Sequence, residues 1–179
     1  MENLCHYGFK NIQNYKLITQ KRLQKEVSVL HKITEGSFHF LNGYDKIRKK
    51  ITKKDIFENV IELYISDENK LIIQIFFRNK YVVPMVIHFP KEYPFRPPKV
   101  NIMDKRYQDI LSNFQATGLY KGDQCLCCST LCCKHNWGPQ KDMFDLIIEI
   151  YENLNMMYGP IDECLYKKIL EKHLGYLID

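Results

Sequence analysis

The stretch Val86-Ile87-His88-Phe89-Pro90-Lys91-Glu92-Tyr93-Pro94-Phe95-Arg96-Pro97-Pro98-Lys99-Val100 decides the fold. It opens as a strand: residues 82–89 (VVPMVIHF) are rich in β-branched and aromatic side chains, with Pro84 marking an edge or bulge. From Pro90 to Pro98 it continues neither a ladder nor a helix, because each proline fixes φ and lacks an N–H. The outcome is a rigid turn directly behind a strand, with Tyr93 and Phe95 supplying aromatic packing area. A free proline-rich ligand would not normally follow a buried strand in this way. Val100 to Met103 then reads as a further short strand.

Upstream, residues 57–66 (FENVIELYIS) and 71–77 (LIIQIFF) flank the hairpin-length polar turn Asp67-Glu68-Asn69-Lys70. Before them, Leu23, Val27 and Leu30 at i, i+4 and i+7 predict an amphipathic helix of about four turns, with Thr19 as N-cap and Gly36 as stop. Residues 36–55 form a long connection. Downstream, residues 104–141 show no sustained periodicity yet hold the single tryptophan and five of the seven cysteines. A long irregular segment in a compact domain is more often functional than idle. From Asp142, a candidate N-cap, the positions Phe144, Ile147, Ile148, Tyr151 and Leu154 predict a helix that Gly159-Pro160 breaks. Asp162 to Leu177 can form a last helix. The order helix, antiparallel meander, long loop, helix, helix predicts an α+β fold.

The chain's 179 residues suit one domain, here an extension over 1–18 and a core over 19–179. The formal charge of +5 is uneven, Lys46, Arg48, Lys49, Lys50, Lys53 and Lys54 lying close together. Such a run is a solvated loop or meets an acidic partner; nucleic-acid binding would rest on it alone and is not expected. The odd number of cysteines, five of them within nine residues, does not resemble a secreted disulfide framework. A reducing compartment, cytoplasm or nucleus, is the expectation. No apolar run approaches the length that spans a bilayer, and residues 1–20 lack the apolar core of a signal peptide, so no membrane partner is expected.

The strand ending in Phe89-Pro90 followed by Tyr93-Pro94-Phe95-Arg96-Pro97-Pro98 resembles the third strand and turn of ubiquitin-conjugating enzymes. Three further features fall in that family's order. Lys21-Arg22-Leu23-Gln24-Lys25-Glu26-Val27 is similar to its basic first helix, Gly122-Asp123-Gln124-Cys125-Leu126 to its active-site signature, and Trp137-Gly138-Pro139 to the W-x-P before its crossover helix. The resemblance covers about residues 19–177 and implies a UBC-like fold with a four-stranded antiparallel meander and a long active-site loop. It implies that Cys125 accepts ubiquitin from an activating enzyme as a thioester and passes it to a substrate lysine or a ligase. Such a thiol must be exposed and able to ionise, because thiolate is the nucleophile. No cofactor or metal on the chain itself is implied, ATP being used by the activating enzyme. The implied partners are ubiquitin, the activating enzyme at Lys21, Arg22 and Lys25, a RING or HECT ligase at Phe95 and Pro139, and substrate proteins.

The chain also departs from that pattern. The family's His-Pro-Asn asparagine, which supports the loop and the oxyanion, falls by offset on Thr117; Asn113 and Gln115 carry the nearest amides. The acid that helps an incoming lysine lose its proton corresponds to Asp162, with Glu163 second, although Asp162 could equally cap the last helix. Two rival readings stay open. One is a catalytically silent variant or RWD-like adaptor, favoured by the missing triplet. The other is a Cys-rich zinc module, for which Cys128-x-x-x-Cys132 would serve although well-separated ligand pairs are the stronger pattern. A cysteine in this run can also be simply a small apolar filler.

Overall fold

The computed structural model describes residues 17–34, 60–66, 70–77 and 81–158. Helix α1 spans Leu17–Thr34. Strands β1 (Val60–Ser66), β2 (Lys70–Phe77), β3 (Tyr81–His88), β4 (Lys99–Ile102) and β5 (Lys105–Arg106) follow. They form one antiparallel sheet in the order β1-β2-β3-β4-β5. The expected four-stranded meander is therefore present and gains a two-residue fifth strand. Helices α2 (Tyr107–Ala116), α3 (Leu126–Ser129) and α4 (Met143–Tyr158) complete the described chain. None of the described helices is long and apolar enough to cross a membrane. The expected extension reaches two residues into α1, which already includes Leu17 and Ile18; residues 1–16, the basic run and the expected last helix lie outside the described residues.

The sheet buries one face because strand side chains alternate. Register places Leu71, Ile87 and Val100 in one cross-strand row and Ile73, Met85 and Ile102 in the next, and all six are buried. The apolar stripe Leu23, Val27 and Leu30 of α1 joins this core, as do Phe144, Ile147 and Leu154 of α4. Each such side chain stabilises the fold by roughly 1.5–3 kcal/mol relative to leaving it exposed. Pro84 pairs with Gln74, and its carbonyl accepts from Met103 N–H at 3.0 Å, just past the last residue of β4. N–H and C=O of one antiparallel residue face the same neighbour, so the missing N–H falls where pairing ends.

Two local expectations are corrected. Thr19 is not the N-cap of α1, which begins two residues earlier at Leu17. Its hydroxyl is buried and donates to the carbonyls of Tyr93 and Lys91, pinning α1 to the proline turn. Thr19→Val keeps the shape and leaves these carbonyls unpaired, so a loss of roughly 1–2 kcal/mol is expected in urea unfolding. Residues 104–141 are not irregular throughout, since α2 lies within them. Its apolar positions Tyr107, Ile110, Leu111 and Phe114, at i, i+3, i+4 and i+7, are all buried.

Asp142 does cap α4. Its carboxylate accepts from Asp145 N–H at 2.9 Å, while Asp145 accepts from Asp142 N–H at 3.1 Å, a reciprocal capping box.

Candidate functional site

The motifs that are distant in sequence meet around the proline turn. Tyr93 is fully buried, and Trp137 packs beside it with ring centroids 5.8 Å apart. The Trp137 indole donates to the Pro94 carbonyl at 2.7 Å. Beneath them the Glu26 carboxylate accepts from Tyr93 OH at 2.6 Å, from Met143 N–H at 3.2 Å and from Arg22. Burial raises the Glu26 pKa against the pull of Arg22 and Tyr93. Arg22 also donates to the Lys141 carbonyl at 2.9 Å, so its guanidinium joins α1 to the start of α4. Of the three basic residues expected to meet an activating enzyme, Arg22 is committed to this internal network, while Lys21 and Lys25 are exposed. Phe95, 63 % exposed, and Pro139 both lie at the surface.

This frame holds the cysteine segment between α2 and α4. Cys125 is exposed and stands at the residue before α3, in extended backbone. The Gln115 side chain, at the end of α2, brackets it. Its Oε1 accepts from Leu126 N–H at 2.9 Å, and its Nε2 donates to the Gln124 carbonyl at 3.2 Å. One amide thus fixes the peptide groups on both sides of the thiol. Thr117, the position picked by offset, does something else. It is the C-cap of α2, and its hydroxyl donates to the Phe114 carbonyl at 2.6 Å and accepts from Leu119 N–H. Gly118 follows at φ +74°, a backbone that disfavours any side chain. Asn113 lies exposed on α2. Asp162 lies outside the described residues, as does Glu163.

Three residues not anticipated from sequence complete the support. Gln108, seven residues before Gln115 on the same face of α2, donates to the Cys127 carbonyl at 3.3 Å. Asn136 donates to the Cys128 carbonyl at 2.6 Å. Glu149 of α4 accepts from Leu131 N–H at 2.7 Å, from the Thr130 hydroxyl and from Tyr107 OH. Of the three, Gln108 alone carries a sequence signal, the period of α2 that puts it on the same side as Gln115.

Burial raises the Glu149 pKa, with Thr130, Leu131 N–H, Tyr107 and Lys141 pulling the other way; the Cys132 thiol, pushed up to about 12 by burial and Glu149, faces it too. The native state therefore holds this proton more tightly than the unfolded chain does. Its contribution to stability is complete below the ordinary carboxylate pKa of about 4.3 and fades as pH rises through the raised native value. Glu149→Gln is expected to remove that decline, so wild type and variant should converge in unfolding midpoint at mildly acid pH. A gap that stays constant with pH would contradict it.

The thiols themselves are crowded. Cys125 Sγ lies 2.9 Å from Cys127 Sγ, which lies 3.8 Å from Cys128 Sγ. Hydrogen bonding from the Cys127 thiol, and from Cys128, holds the Cys125 pKa below the ordinary thiol value. Donation to Cys125 pushes Cys127 up to about 12 and raises Cys128. Beside the segment, a groove of about 970 Å3 runs between the proline turn and α2, with Arg96, Lys99, Arg106 and Lys134 on its lining.

A UBC-like α+β domain whose cysteine-rich segment is braced from α2 and α4 is thus the class that fold and site define. Comparison with family models makes it more specific: the RWD domain model matches residues 21–157, and the chain belongs to that family. RWD domains share the UBC-like fold, often mediate interactions and generally lack the active-site cysteine. A comparison with curated proteins finds no match, and neither does one with solved structures.

Proposed function

We propose that this chain is an RWD-family domain that carries ubiquitin, or a similar modifier, as a thioester on Cys125. The observation that carries this reading is the Gln115 amide clamped on both peptide groups flanking an exposed thiol. Structural cysteines are normally buried and inert, whereas a nucleophile must be accessible and held in one orientation. In the reaction, the Cys125 thiolate attacks the thioester carbonyl that joins the modifier to its activating enzyme. The new S–C bond forms through an oxyanion, and the activating enzyme's cysteine leaves as thiolate. A substrate amine, or a ligase thiolate, then displaces Cys125 from the same carbon. Lys21 and Lys25 are the proposed contacts for the activating enzyme, and Phe95 and Pro139 for a ligase. Asp162 is the proposed acceptor of the amine proton, and the reducing interior of the cell the proposed setting.

Cys125→Ser tests this chemically. With activating enzyme, modifier and ATP, wild type should form an adduct that thiol reductant removes. The serine variant should form an oxyester that survives reductant and yields to alkali. The same thiol-labile adduct in Cys125→Ser or Cys125→Ala would reject the assignment.

The basic groove favours a second reading, a non-catalytic adaptor that docks an acidic segment of a ubiquitin-pathway protein there. Such binding would weaken steeply with salt and be indifferent to Cys125→Ala.

A further inference from the structure

Chain folding brings three thiols, and only three of the segment's five, to one point on the surface. The sulfurs of Cys125, Cys127 and Cys128 all lie within 4.8 Å of one another. Cys132 is turned inward, packed against the core and facing Glu149, and Cys133 faces His135, with Sγ 3.6 Å from Nδ1. The spacing i, i+2, i+3 at the start of α3 gathers the three side chains because residues two and three apart share one turn there. Thiolates about 2.3 Å from a tetrahedral zinc ion stand roughly 3.8 Å apart. The Cys127–Cys128 pair stands at that value, the Cys125–Cys127 pair is closer at 2.9 Å, and no pair lies beyond 4.8 Å. Cys125 and Cys128 are exposed, and a turn about χ1 moves such a sulfur by more than this difference.

We infer that Cys125, Cys127 and Cys128 form a three-thiolate site for one thiophilic d10 cation of the zinc type, which occupies the same sulfur that carries the acyl group. Each thiol loses its proton to solvent as its S–metal bond forms. No fourth protein ligand adjoins the three among the described residues. The outer coordination position therefore faces water, as the exposure of Cys125 and Cys128 requires. A ligated thiolate is not free to attack a carbonyl, so metal and modifier exclude one another at Cys125. The site itself stands on the sulfur geometry; its consequence for loading rests on the proposed thioester function.

The test titrates the full chain, kept reduced with a phosphine, with Cd2+ and follows the ultraviolet thiolate-to-cadmium band. Zn2+ then serves as competitor. The expected result is one ion per chain and a band of three-thiolate strength. Cys127→Ser/Cys128→Ser should weaken binding by more than the roughly 10–100-fold that loss of a supporting partner costs. Cys132→Ser/Cys133→Ser should leave binding unchanged and acts as the folding-matched control. No saturable band, a band of one or two thiolates, or a band lost in the Cys132/Cys133 variant overturns the site. Zn2+ should also slow acyl loading of wild type, with a chelator restoring it, and should not slow loading of Cys127→Ser/Cys128→Ser. If the three-thiolate band is present and no condition gives an adduct, the metal site holds and the thioester function fails.

Discussion

Glu26→Ala is expected to lower the unfolding free energy by about 3–5 kcal/mol, the range for breaking a buried ion pair by removing one partner. The carboxylate is the common acceptor for Arg22, Tyr93 OH and Met143 N–H. Its loss leaves two buried donors without an acceptor and frees a guanidinium that ties α1 to the α4 entry. Glu26→Gln keeps an acceptor oxygen in the same place and should cost clearly less. The single tryptophan sits against Tyr93, so its fluorescence during urea unfolding reads the affected region directly. An alanine variant within about 0.5 kcal/mol of wild type, the usual scale of surface substitutions, would show that this network does not hold the turn.

The second large effect is catalytic. Gln115→Ala is expected to slow thioester formation on Cys125 by about 100-fold, the cost of misplacing a reacting group by roughly 1 Å. Stability should change little, because Gln115 sits at the edge of the domain with its contacts to the segment alone. Reaction of Cys125 with a small alkylating agent should also change little, since that reaction needs only an exposed thiol. The split between modifier loading and alkylation separates a positioning role from loss of fold or of acidity. Gln115→Glu keeps the acceptor for Leu126 N–H but sets a carboxylate against the Gln124 carbonyl, so it should fall between the two. Equal loading by Gln115→Ala and wild type would remove Gln115 from the account.

Much of the fold was legible in sequence because its elements announce themselves locally. The β-branched and aromatic runs of β2 and β3, the polar turn before β2 and the stripe Leu23, Val27, Leu30 are patterns written in neighbouring residues. Asp142 announced its helix through the carboxyl that caps it. Helix α2 escaped notice for an equally local reason. Arg106 at its N-cap makes no side-chain cap, and Asp109, Ser112 and Asn113 are poor helix formers. Tertiary burial of Tyr107, Ile110, Leu111 and Phe114 overrides that weakness.

The site divides in the same way. Cys125 stands out through Gly122 before it and Trp137 after it, both near in sequence. Its supporting amide does not, because Gln115 reaches across a turn to residues 9 and 11 positions on. A fixed offset of eight points to Thr117, but Thr117 closes α2 instead. Arg22 likewise reads as a surface cation in a basic helix and is spent on a buried acid 4 residues later.

The central claim is that Cys125 accepts an acyl group, and intact-mass spectrometry tests it most directly. The protein is incubated with an activating enzyme of proven activity, ubiquitin and ATP, then weighed without and with thiol reductant. The account predicts a species heavier by one ubiquitin less one water, lost on reduction and absent in Cys125→Ala. No such species while a control carrier is charged in the same tube, or an identical one in Cys125→Ala, would contradict it.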